Sequence, residues 1–212
     1  MLAVADGVGG NNAGEVASNL AVHEITNMMY SYPVGEMETE DVINFLKVAH
    51  QKVREVINKE SVGEKVGMDT TLVSSVIKDD IAVIANTGDS KAFVIDKGGN
   101  VKLKTKEHTY PQYLFDEGII NKDDVKNHPL NNMLTCSITG NFTVDTYKVD
   151  LISGDSIILT SDGIHDYIYK EDIISSIKDN IFGNNPREVV AEISEKAFMS
   201  SKDNFTVLLY KH

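Results

Sequence analysis

The fold is decided by residues 70–105, which read TTLVSSVIKDDIAVIANTGDSKAFVIDKGGNVKLKT. Four short runs rich in β-branched and aliphatic residues occupy this stretch, at positions 70–77, 81–86, 92–96 and 101–105. The connections between them are brief and carry glycine, aspartate, asparagine and lysine. Because runs this closely spaced leave no room for intervening helices, the pattern predicts antiparallel strands joined by hairpins.

Outside this strand region, apolar residues recur every three or four positions, which is typical of amphipathic helices. The spacing predicts helices over residues 14–30, 38–59, 171–180 and 186–200. Further strands are predicted at 1–5, 142–148, 156–160 and 205–210, with a loop containing two short helical pieces at 110–132. Helix pairs that alternate with antiparallel strands predict an α+β layered fold and argue against a doubly wound parallel sheet.

The composition is that of an acidic protein of ordinary globular type. Its 32 acidic residues outnumber its 20 basic ones, which gives a formal net charge of −12. Nucleic-acid binding without sequence preference needs many lysines and arginines against phosphate, and the only arginines here are Arg54 and Arg187. We therefore expect no nucleic-acid partner. No repeat or linker interrupts residues 1–212, which predicts a single domain.

Cysteine content and hydropathy favour a cytoplasmic protein. The single cysteine, Cys136, has no partner for an intramolecular disulfide, which is typical of a reducing compartment. The N-terminus lacks the pattern of a signal peptide, and no stretch approaches the roughly 18 consecutive apolar residues of a membrane span. We expect no membrane association.

Four aspartates stand at the ends of predicted strands beside small residues: Asp6, Asp89, Asp162 and Asp203. If their strands belong to facing sheets, the carboxylates converge at one edge of the fold. Carboxylates without histidine or thiolate partners suit hard cations such as Mg²⁺ or Mn²⁺, and a neighbouring glycine lets the backbone approach an ion closely. The alternative for each position alone is an ordinary turn, but four at equivalent positions favour a common site.

Other catalytic patterns are incomplete. The glycines of residues 7–10 are followed by Asn12, which breaks the dinucleotide-binding pattern G-x-G-x-x-G at its third glycine, and no P-loop motif occurs. No G-x-S-x-G elbow marks a serine nucleophile, and the histidines lack metal-ligand spacing. His165 closely follows Asp162 and is expected near the rim of the site.

Five short motifs occur in order along essentially the whole chain. They are VADGVGG at 4–10 with AGEVAS at 13–18, GMDTTLV at 67–73, ANTGDSK at 85–91, LTSDG at 159–163 and DNFTV at 203–207. In sequence and order they resemble the metal-dependent serine/threonine protein phosphatases of type 2C, the PPM family, in its compact bacterial form. The resemblance implies a sandwich of two antiparallel β-sheets flanked by helix pairs, in α-β-β-α layers.

The resemblance also implies a set of metal ligands. Asp6 would bridge two ions, and the carbonyl of Gly7 would bind the second of them. Asp162 and Asp203 would complete the shell of the first ion. Asp89, together with Asp162, would hold a third and weaker ion.

The implied reaction hydrolyses phosphoserine and phosphothreonine in proteins. Asp6, Asp162 and Asp203 would act through a water that two or three Mn²⁺ or Mg²⁺ ions activate. Asn204 would orient Asp203 from outside the ligand set. The expected partner is therefore a phosphoprotein substrate.

The resemblance is incomplete at the N-terminus. The family carries a lead-in segment with an arginine that holds the substrate phosphate and an acidic motif that supports the second ion, whereas here five residues precede Asp6. We therefore expect a single PPM-type phosphatase domain over residues 1–212 that is short at its N-terminus compared with the family. The alternative function is a catalytically weak or inactive pseudophosphatase that acts as a regulatory interaction domain. An apolar first strand at an open sheet edge also predicts homodimerisation through that edge.

Two further positions depart from the family pattern. Asp69 stands where the family usually has glycine, and it is expected to be exposed. Lys91 stands where the family often has arginine, and it is expected to have a structural role rather than to hold phosphate.

Overall fold

The computed structural model describes residues 1–8, 13–168, 170–179 and 185–212. In chain order the elements are β1 (Leu2–Val4), α1 (Gly14–Ser31), α2 (Thr39–Glu60), β2 (Leu72–Lys78), β3 (Ile81–Thr87), β4 (Lys91–Ile95), β5 (Val101–Lys104), α3 (Tyr110–Asp116), α4 (Lys122–Lys126), β6 (Asp145–Asp150), β7 (Ser156–Thr160), α5 (Asp162–His165), α6 (Lys170–Asp179), α7 (Pro186–Ser200) and β8 (Val207–Lys211). Short 3₁₀ turns follow α1 at Val34–Glu36 and α2 at Gly63–Lys65.

The strands form two four-stranded antiparallel sheets. The first has the order β1-β2-β3-β6, and the second has the order β5-β4-β7-β8. The interior between them is lined by residues that include Val73 and Ile84 of the first sheet and Val94 and Ile157 of the second. The predicted α+β sandwich of antiparallel sheets is therefore confirmed.

Helices cover the outer face of each sheet. On the first sheet, Ile25 of α1 and Leu46 of α2 pack in one cluster with Leu72, which directly precedes the inward-facing Val73. On the second sheet, Ile164 of α5 and Ile193 of α7 pack with strand residues in another cluster. Because successive strand residues point to opposite faces, strands buried on both faces read as the nearly continuous apolar runs seen in the sequence.

Two of the three tight connections predicted as hairpins are hairpins, and the third is not. Asp79 and Asp80, both with positive φ (47° and 60°), form a two-residue loop that joins β2 to β3 within one sheet. Residues 88–90 instead carry the chain from β3 in the first sheet to β4 in the second. The hairpin prediction is wrong there because the sequence marks a tight turn but not which neighbour the next strand pairs with. This crossing places Asp89 at the boundary between the two sheets.

Asp69 is buried, with 7% of its surface exposed, so the expectation that it is exposed is wrong. Its carboxylate accepts hydrogen bonds from the backbone N–H groups of Thr70 and Thr139, each at 2.8 Å, and from the Ser137 hydroxyl. A buried carboxylate needs such donors, and two of the three, Ser137 and Thr139, belong to a loop about seventy residues away in sequence. That distance is why the sequence did not reveal them.

Several element boundaries differ from the prediction. The strand predicted at 142–148 lies at Asp145–Asp150, and the closing strand predicted at 205–210 lies at Val207–Lys211. The helix α5, which begins at Asp162, was not predicted, because its four residues are too few to show a helical period. The predicted helix 171–180 corresponds to α6, and position 180 lies outside the described residues.

Candidate active site

The four candidate aspartates come from four different chain connections and line a single pocket of about 210 Å³. Asp6 follows β1, Asp89 lies in the turn between β3 and β4, Asp162 begins α5 directly after β7, and Asp203 precedes β8. Gly7 lines the same pocket. The pocket therefore lies where the ends of strands from both sheets meet.

Hydrogen bonds hold the Asp6 segment against Thr71, which directly precedes β2. The N–H of Asp6 donates to the Thr71 hydroxyl at 3.0 Å, and the N–H of Thr71 donates to the carbonyl of Asp6 at 2.8 Å. Gly7 forms an isolated antiparallel bridge with Thr70. A Cβ at Gly7 would lie 2.3 Å from the carbonyl oxygen of Gly14, at the start of α1. The close approach of α1 thus requires glycine at position 7.

Thr71 also connects the Asp6 segment to the Asp89 turn. Its hydroxyl lies 2.7 Å from the Ser90 hydroxyl in a buried hydrogen bond. Gly88, with φ of 107°, lies so close that a Cβ there would be 2.7 Å from the Thr71 side chain. Thr71 lines the pocket and was missed by the sequence reasoning, although it is the second threonine of the motif at 67–73.

The start of α5 is held against the segment that precedes β8. The N–H of Ser161 donates to the carbonyl of Thr206 at 3.1 Å, and the N–H of Thr206 returns a bond to the Ser161 hydroxyl at 2.9 Å. A Cβ at Gly163 would lie 2.2 Å from the carbonyl oxygen of Asn204. The N–H of Asn204 donates to the Asp203 carboxylate at 2.7 Å. This junction keeps Asp203 beside the first turn of α5.

The pocket concentrates negative charge in a partly buried place. Burial, followed by the charge of the neighbouring Asp162 and its hydrogen bond, raises the pKa of Asp6 to about 8, and Asp89 and Asp203 add to the effect. Burial and then Asp162 raise the pKa of Asp89 to about 7, against the opposing charge of Lys91. One buried oxygen of Asp162, Oδ1, has no hydrogen-bond partner among the described residues. Among the described residues, no lysine or arginine lines this pocket beside the carboxylates.

The donor chemistry of the pocket fits a hard divalent cation. Carboxylate oxygens and a backbone carbonyl such as that of Gly7 are the ligands that Mg²⁺ and Mn²⁺ prefer, and the unpartnered oxygen of Asp162 is a ligand position without another role. In the described part of the chain, no group of three or more His, Cys, Asp or Glu side chains is arranged so that it could bind one metal ion. Ion binding would therefore require the carboxylates to turn toward the ion and would involve the carbonyl or water.

Neither arginine belongs to the pocket. Arg54 of α2 lies over the ring of Phe142, 4.9 Å from its centroid, and Arg187 lies in the first turn of α7. Lys91 is buried and forms an ion pair with Glu107 at 3.0 Å. The expected structural role of Lys91 is consistent with that contact.

His165 lies close to the pocket but not in its lining. It is buried, and its Nδ1 lies 2.8 Å from the Thr160 hydroxyl. Two residues from the loop after α4, Asn132 and Leu134, do line the pocket. They were not singled out from the sequence, because they carry no charge and no motif.

The two-sheet sandwich, the outer helices and the carboxylates at one edge together define a class, the type 2C protein phosphatases. The family model described as Protein phosphatase 2C matches residues 1–195. The chain belongs to this protein phosphatase 2C family.

Named relatives and solved structures agree with this assignment. The chain is 30% identical over 210 residues to the serine/threonine phosphatase stp of Listeria monocytogenes, covering 97% of this chain and 82% of that protein. It is 29% identical over 216 residues to the protein phosphatase PhpP of Streptococcus pneumoniae, covering 99% and 84%. These relatives are named as phosphatases, and nothing in them favours the alternative of an inactive regulatory domain.

The fold is also similar to crystal structures. The serine/threonine phosphatase Stp1 from Staphylococcus aureus superposes with a TM-score of 0.90 at 27% identity, over 100% of this chain and 83% of that one. The catalytic domain of the phosphatase PstP in complex with two manganese ions superposes with a TM-score of 0.78 at 25% identity, over 98% and 85%. No helix in the described part of the chain is both long and apolar enough to cross a membrane.

Proposed function

We propose that this protein phosphatase hydrolyses phosphoserine and phosphothreonine in proteins with the help of two or three Mn²⁺ or Mg²⁺ ions. The observation that carries the proposal is the pocket in which Asp6, Asp89, Asp162 and Asp203 meet, and in which burial and the neighbouring carboxylates raise the pKa of Asp6. The manganese complex of the similar PstP domain supports the choice of metal. Bound divalent ions supply an activated water and neutralise charge on the phosphoryl group.

We assign the ligand roles as follows. Asp6 would hold both of two ions, the carbonyl of Gly7 would hold the second, and Asp162 and Asp203 would hold the first. Asp89, together with Asp162, would hold a third ion. Their positions around one pocket support these roles, and so does the unpartnered oxygen of Asp162.

The surrounding residues keep these ligands in position. Thr71 joins the Asp6 segment to the turn that carries Asp89, so that these two segments stay next to each other. Asn204 positions Asp203. This role is supported by the hydrogen bond that the backbone N–H of Asn204 donates to the Asp203 carboxylate at 2.7 Å. Such contacts outside the ligand set hold ligands in a productive orientation.

Phosphate release from a phosphothreonine peptide tests the proposed function. We expect release with Mn²⁺ or Mg²⁺ and its loss when EDTA removes the ion, because the described lining of the pocket offers no protein nucleophile of the Ser-His or Cys-His type. Hydrolysis that persists in excess EDTA would contradict the metal-assisted reaction. Absence of both hydrolysis and calorimetric Mn²⁺ binding would contradict the ligand assignment.

We propose further that residues 1–212 act as one domain in the cytoplasm. The two sheets share an interior to which β1, β2, β4 and β7 all contribute, which supports one domain. The cytoplasmic assignment rests on Cys136, a buried free thiol. Burial raises the pKa of this thiol, which keeps it protonated and suits a structural residue rather than a reactive one.

We also propose a homodimer through the edge of the first sheet. Among the described strands β1 pairs with β2 alone, and Leu2 and Ala3 are only partly buried. The neighbouring β8, which contacts β1, is the edge of the second sheet and is partly buried along its whole length. Two open edges with apolar side chains on one side of a sandwich favour association.

Sedimentation velocity tests the dimer. We expect the sedimentation coefficient to rise from that of a monomer to that of a dimer as the protein concentration increases, and we expect Leu2→Lys to shift this rise to higher concentration, because a lysine on an edge strand opposes pairing. Lys148→Gln, an exposed change on β6 at the other edge of the same sheet, serves as the control. A monomer at every concentration would contradict the dimer.

A further inference from the structure

A second pocket, of about 260 Å³, lies beside the aspartates and is rich in lysine. It is bounded by β4 and β5, by the helices α3 and α4, and by the C-terminal end of α5. Its charged lining consists of Lys91, Lys104, Lys122, Lys126, Glu107 and Asp166. We refer to it as the lysine pocket.

Positive charge is in excess in the lysine pocket. Lys91 and Lys104 share one carboxylate oxygen of Glu107, at 3.0 and 2.9 Å, so that two ammonium groups face a single anion. Burial lowers the pKa of His165 well below its usual value, which leaves this imidazole uncharged. The described lining therefore has four lysines against two carboxylates, those of Glu107 and Asp166. In a chain of net charge −12, this pocket is a local exception.

Helix α4 adds two lysines on one face. Lys122 and Lys126 are four residues apart, and side chains at that spacing lie on the same side of a helix. Both line the pocket, together with the apolar Phe115 and Val125. The lining thus combines ammonium groups with apolar side chains, which suits the anionic end and aliphatic stem of a flexible acidic side chain.

The distance to the aspartates fits a peptide substrate. Asp162, which lines the aspartate pocket, is the first residue of α5, and Asp166, which lines the lysine pocket, directly follows its end, so that these two residues are about 6 Å apart along the helix at 1.5 Å per residue. Asn131 lines the lysine pocket, and the adjacent Asn132 lines the aspartate pocket. An extended peptide advances roughly 3.3 Å per residue, so this separation corresponds to about two residues.

We propose that the lysine pocket binds an anionic side chain of the substrate, about two residues from the phosphorylated residue. The anion is either a carboxylate or a second phosphate, since an ammonium group binds both as a point charge. The inference rests on the proposed function, because it requires that the phosphorylated residue occupy the aspartate pocket. It adds a preference for acidic or multiply phosphorylated segments.

The test uses phosphothreonine peptides in which one neighbouring position is varied. One of three residues is placed at each of the four positions before and the four positions after the phosphothreonine. The three residues are glutamine, glutamate and a non-hydrolysable phosphonate analogue of phosphothreonine. We expect kcat/KM to rise about tenfold, the effect of one charge-assisted hydrogen bond, when an anion stands about two residues away. The rise should come mainly from a lower KM. Preference for phosphonate identifies a second phosphate as the bound group, and preference for glutamate identifies an acidic residue.

Matched variants assign the preference to the pocket. Lys122→Gln/Lys126→Gln should remove most of the advantage of the acidic peptide and leave the glutamine peptide unchanged. Lys47→Gln/Lys59→Gln removes the same charge from exposed positions on α2, the helix that packs on the first sheet. This double variant should retain the advantage of the acidic peptide over the glutamine peptide. No dependence on the anion, or an equal loss in both double variants, would overturn the inference.

A small substrate separates this inference from the proposed function. p-Nitrophenyl phosphate has no neighbouring residues, so its Mn²⁺-dependent hydrolysis reports on the aspartate pocket alone. Hydrolysis of this ester without any preference among the peptides contradicts the lysine pocket only. Without hydrolysis the proposed function fails, and fluorescence anisotropy of the same labelled peptides still shows whether the lysines bind the anion.

Discussion

Asp162→Asn should lower Mn²⁺-dependent phosphate release by about 10³-fold, a loss of the size seen when one preorganised electrostatic group is removed. Asp162 is the largest charged influence on both Asp6 and Asp89. It also carries the one buried Oδ1 without a partner at this site among the described residues. Asparagine keeps the shape of the side chain but removes the anion that two proposed ion sites share, so that ion affinity and turnover fall together.

The same substitution should not harm the fold of the ion-free protein. Removal of one carboxylate relieves repulsion among four, so the melting temperature in EDTA should equal or exceed that of the unchanged protein. Melting with and without Mn²⁺ and phosphate release at saturating Mn²⁺ measure the two effects. Asp150→Asn, an exposed change on β6, is the matched control and should alter neither. Unchanged turnover in Asp162→Asn would refute its assignment as a ligand.

The sequence predicted the elements well where each one is governed by its own residues. The β-branched runs at 70–105 became β2 to β5, and the apolar spacing at 14–30 and 38–59 became α1 and α2. It did not predict the crossing at residues 88–90, because a tight turn looks the same whether the next strand joins the same sheet or the facing one. Pairing across sheets depends on contacts distant in sequence, and these leave no local pattern.

The same distinction applies to the functional residues. The aspartates were found because each stands in a short motif, and the family resemblance gave them roles. The sequence did not indicate a role for Thr71, because that role depends on a hydrogen bond to Ser90. This bond forms only when the chain crosses from the first sheet to the second. The lysine pocket escaped notice for a similar reason, since Lys91 and Lys122 belong to elements that meet only in the folded chain.

Gly163→Ala should destabilise the protein and reduce turnover at the same time, in contrast to Asp162→Asn. A Cβ at position 163 would lie 2.2 Å from the carbonyl oxygen of Asn204, a backbone atom that cannot rotate away. The start of α5 and the segment before β8 must therefore separate, at a cost of about 1–3 kcal/mol in the free energy of unfolding, as for other overpacked sites. Since Asp203 lies on the displaced segment, we expect turnover to fall by about 10²-fold, which is the scale of a 1 Å misplacement.

Gly35→Ala distinguishes this steric effect from the general effect of replacing glycine. No atom of the described residues lies within 4 Å of a Cβ at Gly35, and its φ is not positive, so alanine there should leave both unfolding and turnover nearly unchanged. Urea unfolding in EDTA measures the steric cost without any contribution from bound ions. If Gly163→Ala unfolds like the unchanged protein yet loses turnover, the junction of α5 with β8 carries no strain and position 163 acts on the reaction directly. If it unfolds earlier and keeps full turnover, the separation does not reach Asp203, and the proposed role of this junction in holding that carboxylate is wrong.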